Sequence, residues 1–260
     1  MSRATANEAK GSGEQTPSVT ELLEAIFEAL RKHYEPLNWW PTATGSPWEI
    51  IVGAVLTQRT SWTNVVLSLA NIMSEWGPKS LTDPGVILEA SDEELARVLR
   101  PTGFYTSKPR ALKNLARYVL SKGGLDKLAG SEESTEQIRS ELLGLWGIGA
   151  ETADAILLYA LRRPTFIADA YAIRLASRWG LLAPTARYEE ARAFFMNRLP
   201  HDGHIYGEYH ALIVTHAKRQ CRAQPLCEIC PLNSPLRASG INSKAADWRC
   251  PKVGVTSTRT

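Results

Sequence analysis

The chain has 260 residues, 44% of them hydrophobic and 22% charged, with a net charge of +3. That is the balance of a globular protein with enough core for one large domain or two small ones. No stretch approaches ~18 uninterrupted apolar residues, which excludes a membrane-spanning helix. The opening MSRATANEAKGSGEQTPS has no apolar run of the kind a secretion signal needs, so a cytoplasmic, nucleoid-associated location is expected and a membrane partner is not. Four cysteines are too few for a disulfide scaffold. Residues 201–260 carry eight Lys/Arg and four Asp/Glu, leaving the first 200 residues at −1 by subtraction. All four cysteines lie in that basic segment, which suggests an electropositive, metal-stapled surface facing a polyanion.

In chain order, residues 1–17 read as a disordered tail. Ser18 then caps a run with Leu22, Leu23, Ile26, Phe27 and Leu30 at helical spacing. Pro36, Pro41 and Pro47 bracket a loop holding Trp39 and Trp40. EIIVGAVLTQ (49–58) is ambiguous, because its β-branched residues suit a buried strand as well as a helix. Helical patterns follow at 62–76, 91–100, 107–121, 134–144, 150–162, 168–180, 186–199 and 204–220, and no alternating pattern marks a strand. The fold reads as all-α.

Two segments carry the strongest chemical signals. In Leu145-Trp146-Gly147-Ile148-Gly149-Ala150-Glu151-Thr152-Ala153 a helix ends, a Gly-x-Gly hairpin follows, and a second helix begins. Glycines there allow close approach of another chain, and backbone N–H groups at a helix start attract phosphate. A plain tight turn would look the same. In Phe166-Ile167-Ala168-Asp169-Ala170-Tyr171 a carboxylate follows an apolar run, where it is costly unless it caps the next helix or is used chemically.

A helix-hairpin-helix of the form LxGxGxxTA, an Asp after an apolar stretch and a C-terminal cysteine cluster, in that order, resemble the endonuclease III superfamily of DNA glycosylases over roughly residues 20–232. The resemblance implies a two-lobed all-α fold: a six-helix barrel lobe at 48–163 with the hairpin, and a terminal lobe from 18–47 and 164–260 with a cluster loop. It implies a monomer acting on double-stranded DNA with a damaged base, which is flipped into the cleft between the lobes. Asp169 matches the catalytic aspartate. Glu151 stands where bifunctional members carry the lysine that forms a Schiff base, and a carboxylate cannot do that. Trp39-Trp40-Pro41, Gly53-Ala54-Val55-Leu56-Thr57-Gln58, Arg100-Pro101-Thr102-Gly103-Phe104-Tyr105 and GIGAETADAIL are similar to the branch that hydrolyses 3-methyladenine from DNA.

On that resemblance Trp39 and Trp62 sandwich the base, with Trp40 and Pro41 beside them, and Gln58 fills the gap left in the duplex. An alkylated purine is cationic and gains from electron-rich ring faces; packing at a lobe interface is the other use for these tryptophans. Glu151 complements a helix dipole or helps hold a cationic base. The hairpin residues Gly147, Ile148 and Gly149, with Lys218, Arg219 and Arg222, are the expected DNA contacts, and Arg237 adds to the basic loop. The alkylpurine branch carries a lysine in the segment matching Tyr209-His210-Ala211-Leu212, and the matching place here is Leu212. An endonuclease III-like lyase on oxidised pyrimidines and a non-catalytic lesion-binding module are the rival expectations.

The spacing Cys221-x5-Cys227-x2-Cys230-x19-Cys250 looks like an iron–sulfur ligand set, and four thiolates suit a [4Fe–4S] cluster. In the family the fourth cysteine follows the third closely, but Leu236 stands in that place, leaving Cys250 as the fourth candidate. Zinc would need the same four ligands.

Overall fold

A computed structural model describes residues 17–233 and 250–251, so the expectations for the tail, Leu236 and Arg237 lie outside the described residues. Helices and turns make up the secondary structure of the described residues, and none is a strand. No helix among them is long and apolar enough to cross a membrane.

Helix α1 (Val19–Tyr34) starts where predicted: the Ser18 hydroxyl accepts from the Glu21 N–H while Glu21 reaches back to Ser18. The ambiguous segment is helix α2 (Pro47–Leu56), capped by Ser46 with proline in its first turn. Every residue from Trp48 to Leu56 is buried, and this all-round burial explains why its sequence shows no helical face. Even Glu49 is 2% exposed; its carboxylate accepts from the N–H groups of Ala43 and Thr44, both at 2.7 Å, and so folds the Trp-Trp-Pro loop back over α2.

Helices α3 (Trp62–Trp76) and α6 (Lys108–Ser121) pack on α2; α4 (Pro84–Glu89), α5 (Asp92–Leu99) and α7 (Leu125–Ala129) pack on α6, and α8 (Thr135–Gly144) leads into the hairpin. Helix α9 (Ala150–Ala155) follows the hairpin and runs into a π turn at Ile156–Ala160. There the Leu161 N–H donates to the Ile156 carbonyl at 3.0 Å, and the wider turn lies directly against α2.

The remaining helices, α10 (Ala170–Arg178), α11 (Tyr188–Met196) and α12 (Gly203–Arg219), group with α1. The fully buried Tyr209 hydroxyl donates to the Leu23 carbonyl at 2.9 Å, joining α12 to α1. Between the two groups, Asp154 accepts from Arg139 on α8, Thr165, and Tyr188 on α11.

Candidate active site

A cleft of about 1000 Å³ opens between the two groups of helices. Its walls include Trp39, Trp40, Pro41, Gln58, Trp62, Gly147, Gly149, Glu151 and Asp169, so most of the residues singled out in the sequence converge on one place. The tryptophans meet edge to face: Trp40 lies 5.4 Å from Trp62 at 85° and 6.3 Å from Trp39 at 75°. Trp40 therefore stands between the two expected to enclose a base. It fits because α2 has Gly53 beneath it; a Cβ there would come within 3.2 Å of Trp40 Nε1.

Asp169 does two things at once. Phe166, Ile167 and Ala168 ahead of it are buried and fix its position. Its Oδ1 accepts from the N–H groups of Tyr171 and Ala172, both at 2.9 Å, capping α10. Its Oδ2 lies 3.6 Å from His210 Nε2 on the cleft wall. Glu151 has surface open to the cleft, yet the enclosing walls desolvate it; that, with the Asp169 charge, raises its pKa.

The hairpin behaves as the glycine pattern predicts. Gly147 has φ +87°, and a Cβ there would strike Ala111 Cβ at 2.9 Å. Gly147 and Gly149 are exposed, whereas Ile148 is not available to DNA: its side chain is buried and its N–H donates to Leu145 O at 3.2 Å. Gln58, just after α2, reaches the hairpin along one wall of the cleft, donating from Nε2 to Gly147 O and Thr152 Oγ1, both at 3.0 Å.

Sequence reasoning misplaced one residue and missed several. Leu212 is fully buried and does not line the cleft; His210 does, with Val214 and Lys218 at successive helical turns. That i, i+4, i+8 spacing on α12 was the signal available. Tyr159 donates to Gly207 O at 3.0 Å and contacts His210 Nδ1 at 2.7 Å. Phe104 is 53% exposed at the cleft mouth, with the Arg59 guanidinium 5.7 Å from its ring centre. Lys108 also lines the cleft; its Nζ donates to Leu56 O at 2.9 Å and Thr102 O at 3.0 Å, and burial pushes its pKa down to about 8.

Lys218, Arg219 and Arg222 are exposed beside the cysteine-rich segment. Cys221 is buried and receives a hydrogen bond from Arg178 Nη1 at 3.0 Å. The Cys250 N–H donates to Leu232 O at 2.9 Å, which brings it back beside the turn containing Cys227 and Cys230. Burial, and the charges of Cys221, Cys250 and Cys227, push the Cys230 thiol up to about 11. Among the described residues, no three His, Cys, Asp or Glu side chains are placed to hold a single metal ion.

Residues 52–201 match the family of HhH-GPD superfamily base excision DNA repair proteins. The chain is 41% identical over 213 residues to a Methanocaldococcus jannaschii protein assigned to the DNA repair glycosylases, covering 82% of this chain and 94% of that one. It is similar to the H. pylori 3-methyladenine DNA glycosylase bound to 1,N6-ethenoadenine, with a TM-score of 0.65, 25% identity, and coverage of 77% of this chain and 97% of that one. An endonuclease III–DNA complex shares the fold, with a TM-score of 0.66 at 20% identity over 85% of this chain and 95% of that one. With the hairpin, the capping aspartate and the interlobe cleft in their expected order, the chain belongs to the HhH-GPD superfamily of base excision DNA repair proteins.

Proposed function

We propose that the protein is a monofunctional DNA glycosylase that hydrolyses the N-glycosidic bond of alkylated purines in double-stranded DNA. The observation that carries this reading is the character of the cleft: Trp39, Trp40 and Trp62 line it together with two carboxylates, Asp169 and Glu151. Ring faces and negative charge favour a flipped base that is itself cationic. The named ligand of the similar H. pylori enzyme, an adduct of adenine, agrees with a purine pocket.

Gly147 and Gly149 present backbone to the phosphates, and Lys218, Arg219 and Arg222 add charge. Asp169 Oδ2 faces the positive charge that grows on the sugar as the base departs. Glu151 offers no amine for a sugar adduct.

Cys221, Cys227, Cys230 and Cys250 are the residues that would hold a [4Fe–4S] cluster. The fit rests on the donor set: Cys221, Cys227 and Cys250 all lie near enough to Cys230 to raise its pKa, and Arg178 donates to the Cys221 sulfur. Bound there, the cluster would bridge the segment after α12 to Cys250 and steady the adjacent basic residues.

One observation favours a second reading. Lys108, with its pKa lowered to about 8, lines the same cleft and offers an amine for lyase chemistry. The test is base release and strand cleavage on duplexes carrying 3-methyladenine, 7-methylguanine, thymine glycol, uracil or an abasic site. Breaks at alkylated purines only after alkali are the expected result, with Asp169→Asn losing base release. Breaks without alkali and a borohydride-trapped adduct would favour the lyase, and silence on every substrate would overturn both.

A further inference from the structure

Three groups form a chain of contacts: Tyr159, buried behind the cleft wall, then His210 and the free oxygen of Asp169, both on the wall. Tyr159 has one hydroxyl hydrogen, and it goes to Gly207 O at 3.0 Å, because a carbonyl can only accept. Burial holds the Tyr159 pKa well above its ordinary value, so the hydroxyl keeps that hydrogen. With that hydrogen on Gly207 O, we assign the 2.7 Å contact between the Tyr159 oxygen and His210 Nδ1 to a hydrogen on Nδ1. In neutral His210 this leaves a bare lone pair on Nε2, aimed at Asp169 Oδ2 across 3.6 Å. The other Asp169 oxygen is committed to the N–H groups of Tyr171 and Ala172. Two acceptors thus face each other at the edge of a water-accessible cleft, and a water molecule can donate one hydrogen to each.

We infer that His210 and Asp169 together hold the hydrolytic water, with His210 Nε2 as its general base and Tyr159 as the positioning residue that fixes the imidazole tautomer. The inference rests on the hydrolytic reading above. The water oxygen bonds to C1′ of the deoxyribose as the C1′–N bond breaks, and that bond's electron pair stays on the base. The water proton passes to His210 Nε2 and from there to solvent through the cleft. An alkylated purine carries its positive charge before cleavage and leaves neutral, so it needs no proton from the protein. Asp169 from the α10 cap, Glu151 from α9 and Tyr159 from the π turn are the titratable groups facing His210, and Lys218 lies two turns along its own helix. The imidazolium formed in the step is flanked by two carboxyl groups, which favours proton uptake during catalysis.

The test is single-turnover release of methylated purines from duplex DNA, from pH 5 to 9, by the full chain. His210→Ala is expected to slow release about 100-fold with DNA affinity unchanged. It should also recover part of its rate with added imidazole. Tyr159→Phe is expected to slow release by a smaller factor and to gain nothing from added imidazole. Full rate and an unchanged profile in His210→Ala, with Asp169→Asn still inactive, would overturn the role of His210 and leave the hydrolytic reading standing. Failure of the wild-type protein to release any base would overturn both. A readout independent of any variant is the 15N spectrum of His210 at pH 8: hydrogen on Nδ1 and a bare Nε2 is expected, and hydrogen on Nε2 overturns the proposal.

Discussion

Arg139 grips Asp154 with two hydrogen bonds, of 2.8 and 3.0 Å, at a site where the Asp154 side chain has no exposure to solvent. Thr165 and Tyr188 donate to the same carboxylate at 2.9 and 2.8 Å, and Arg192 Nε lies 3.6 Å away. One anion therefore ties the hairpin's second helix to α8, to the segment leading to Asp169, and to α11. Asp154→Ala would take the acceptor from Arg139 Nε and from the Thr165 and Tyr188 hydroxyls, leaving Arg139 only its bond to Glu189. A loss of roughly 3–5 kcal/mol is expected, measured by urea unfolding.

The hairpin glycines should separate strain from DNA contact. Gly147→Ala places a Cβ at φ +87° and 2.9 Å from Ala111, so about 1–3 kcal/mol of stability should be lost together with DNA binding. Gly149 has an ordinary φ of −94° and open space around it. Gly149→Ala should therefore keep its melting temperature while binding duplex DNA more weakly. Equal DNA affinity in Gly149→Ala would show that no phosphate approaches there.

Gly53→Ala acts on the cleft from behind. The new methyl group would meet Trp40 Nε1 at 3.2 Å, and the indole must move by a few tenths of an ångström. Because Trp40 stands between Trp39 and Trp62, base release should slow while thermal stability changes little. Single-turnover kinetics alongside a thermal melt would check both halves.

Glu208, with its side chain 22% exposed, is pushed up to about 7 by burial and then by the hydrogen bond and charge of Glu35. A carboxyl whose pKa is higher folded than unfolded binds more protons in the native state. Its contribution is complete below pH 4.5 and disappears as pH rises through about 7. Glu208→Gln should therefore gain stability over the wild type above pH 7 and lose that advantage in acid. Denaturant midpoints at pH 4 and pH 8 would show it.

If the four cysteines hold a [4Fe–4S] cluster, the purified protein should contain iron and acid-labile sulfide in equal amounts and absorb visible light. Cys250→Ser should lose most of both. Unchanged iron in that variant would mean that Cys250 is not the fourth ligand.

Much of this site was legible because its motifs are local. The hairpin glycines, Asp169 and the paired tryptophans each sit in a short segment whose residue types have few other uses. Helix α2 was not legible as a helix, since burial on every side erases the face that periodicity detects. Helices α4 and α7 were missed for another reason: each has only five or six residues, too few for a period to register. His210 was passed over for Leu212 because matching by segment ignores which way a helix turns its side chains. Tyr159 was beyond sequence reasoning altogether, as its placement depends on a π turn that the apolar run 156–160 does not announce.

The bond from Tyr209 to the Leu23 carbonyl spans 186 residues, and its consequence is one of timing. During synthesis α1 precedes the surface it packs against by the whole of α2–α11. The segment holding α2–α9 can collapse early on its own near-neighbour contacts, whereas the far wall of the cleft waits for α12. His210 and Lys218 lie on that same late helix. A ribosome-bound chain thus carries the hairpin and the tryptophans before it has a closed pocket, and competence toward DNA waits until α12 has been made.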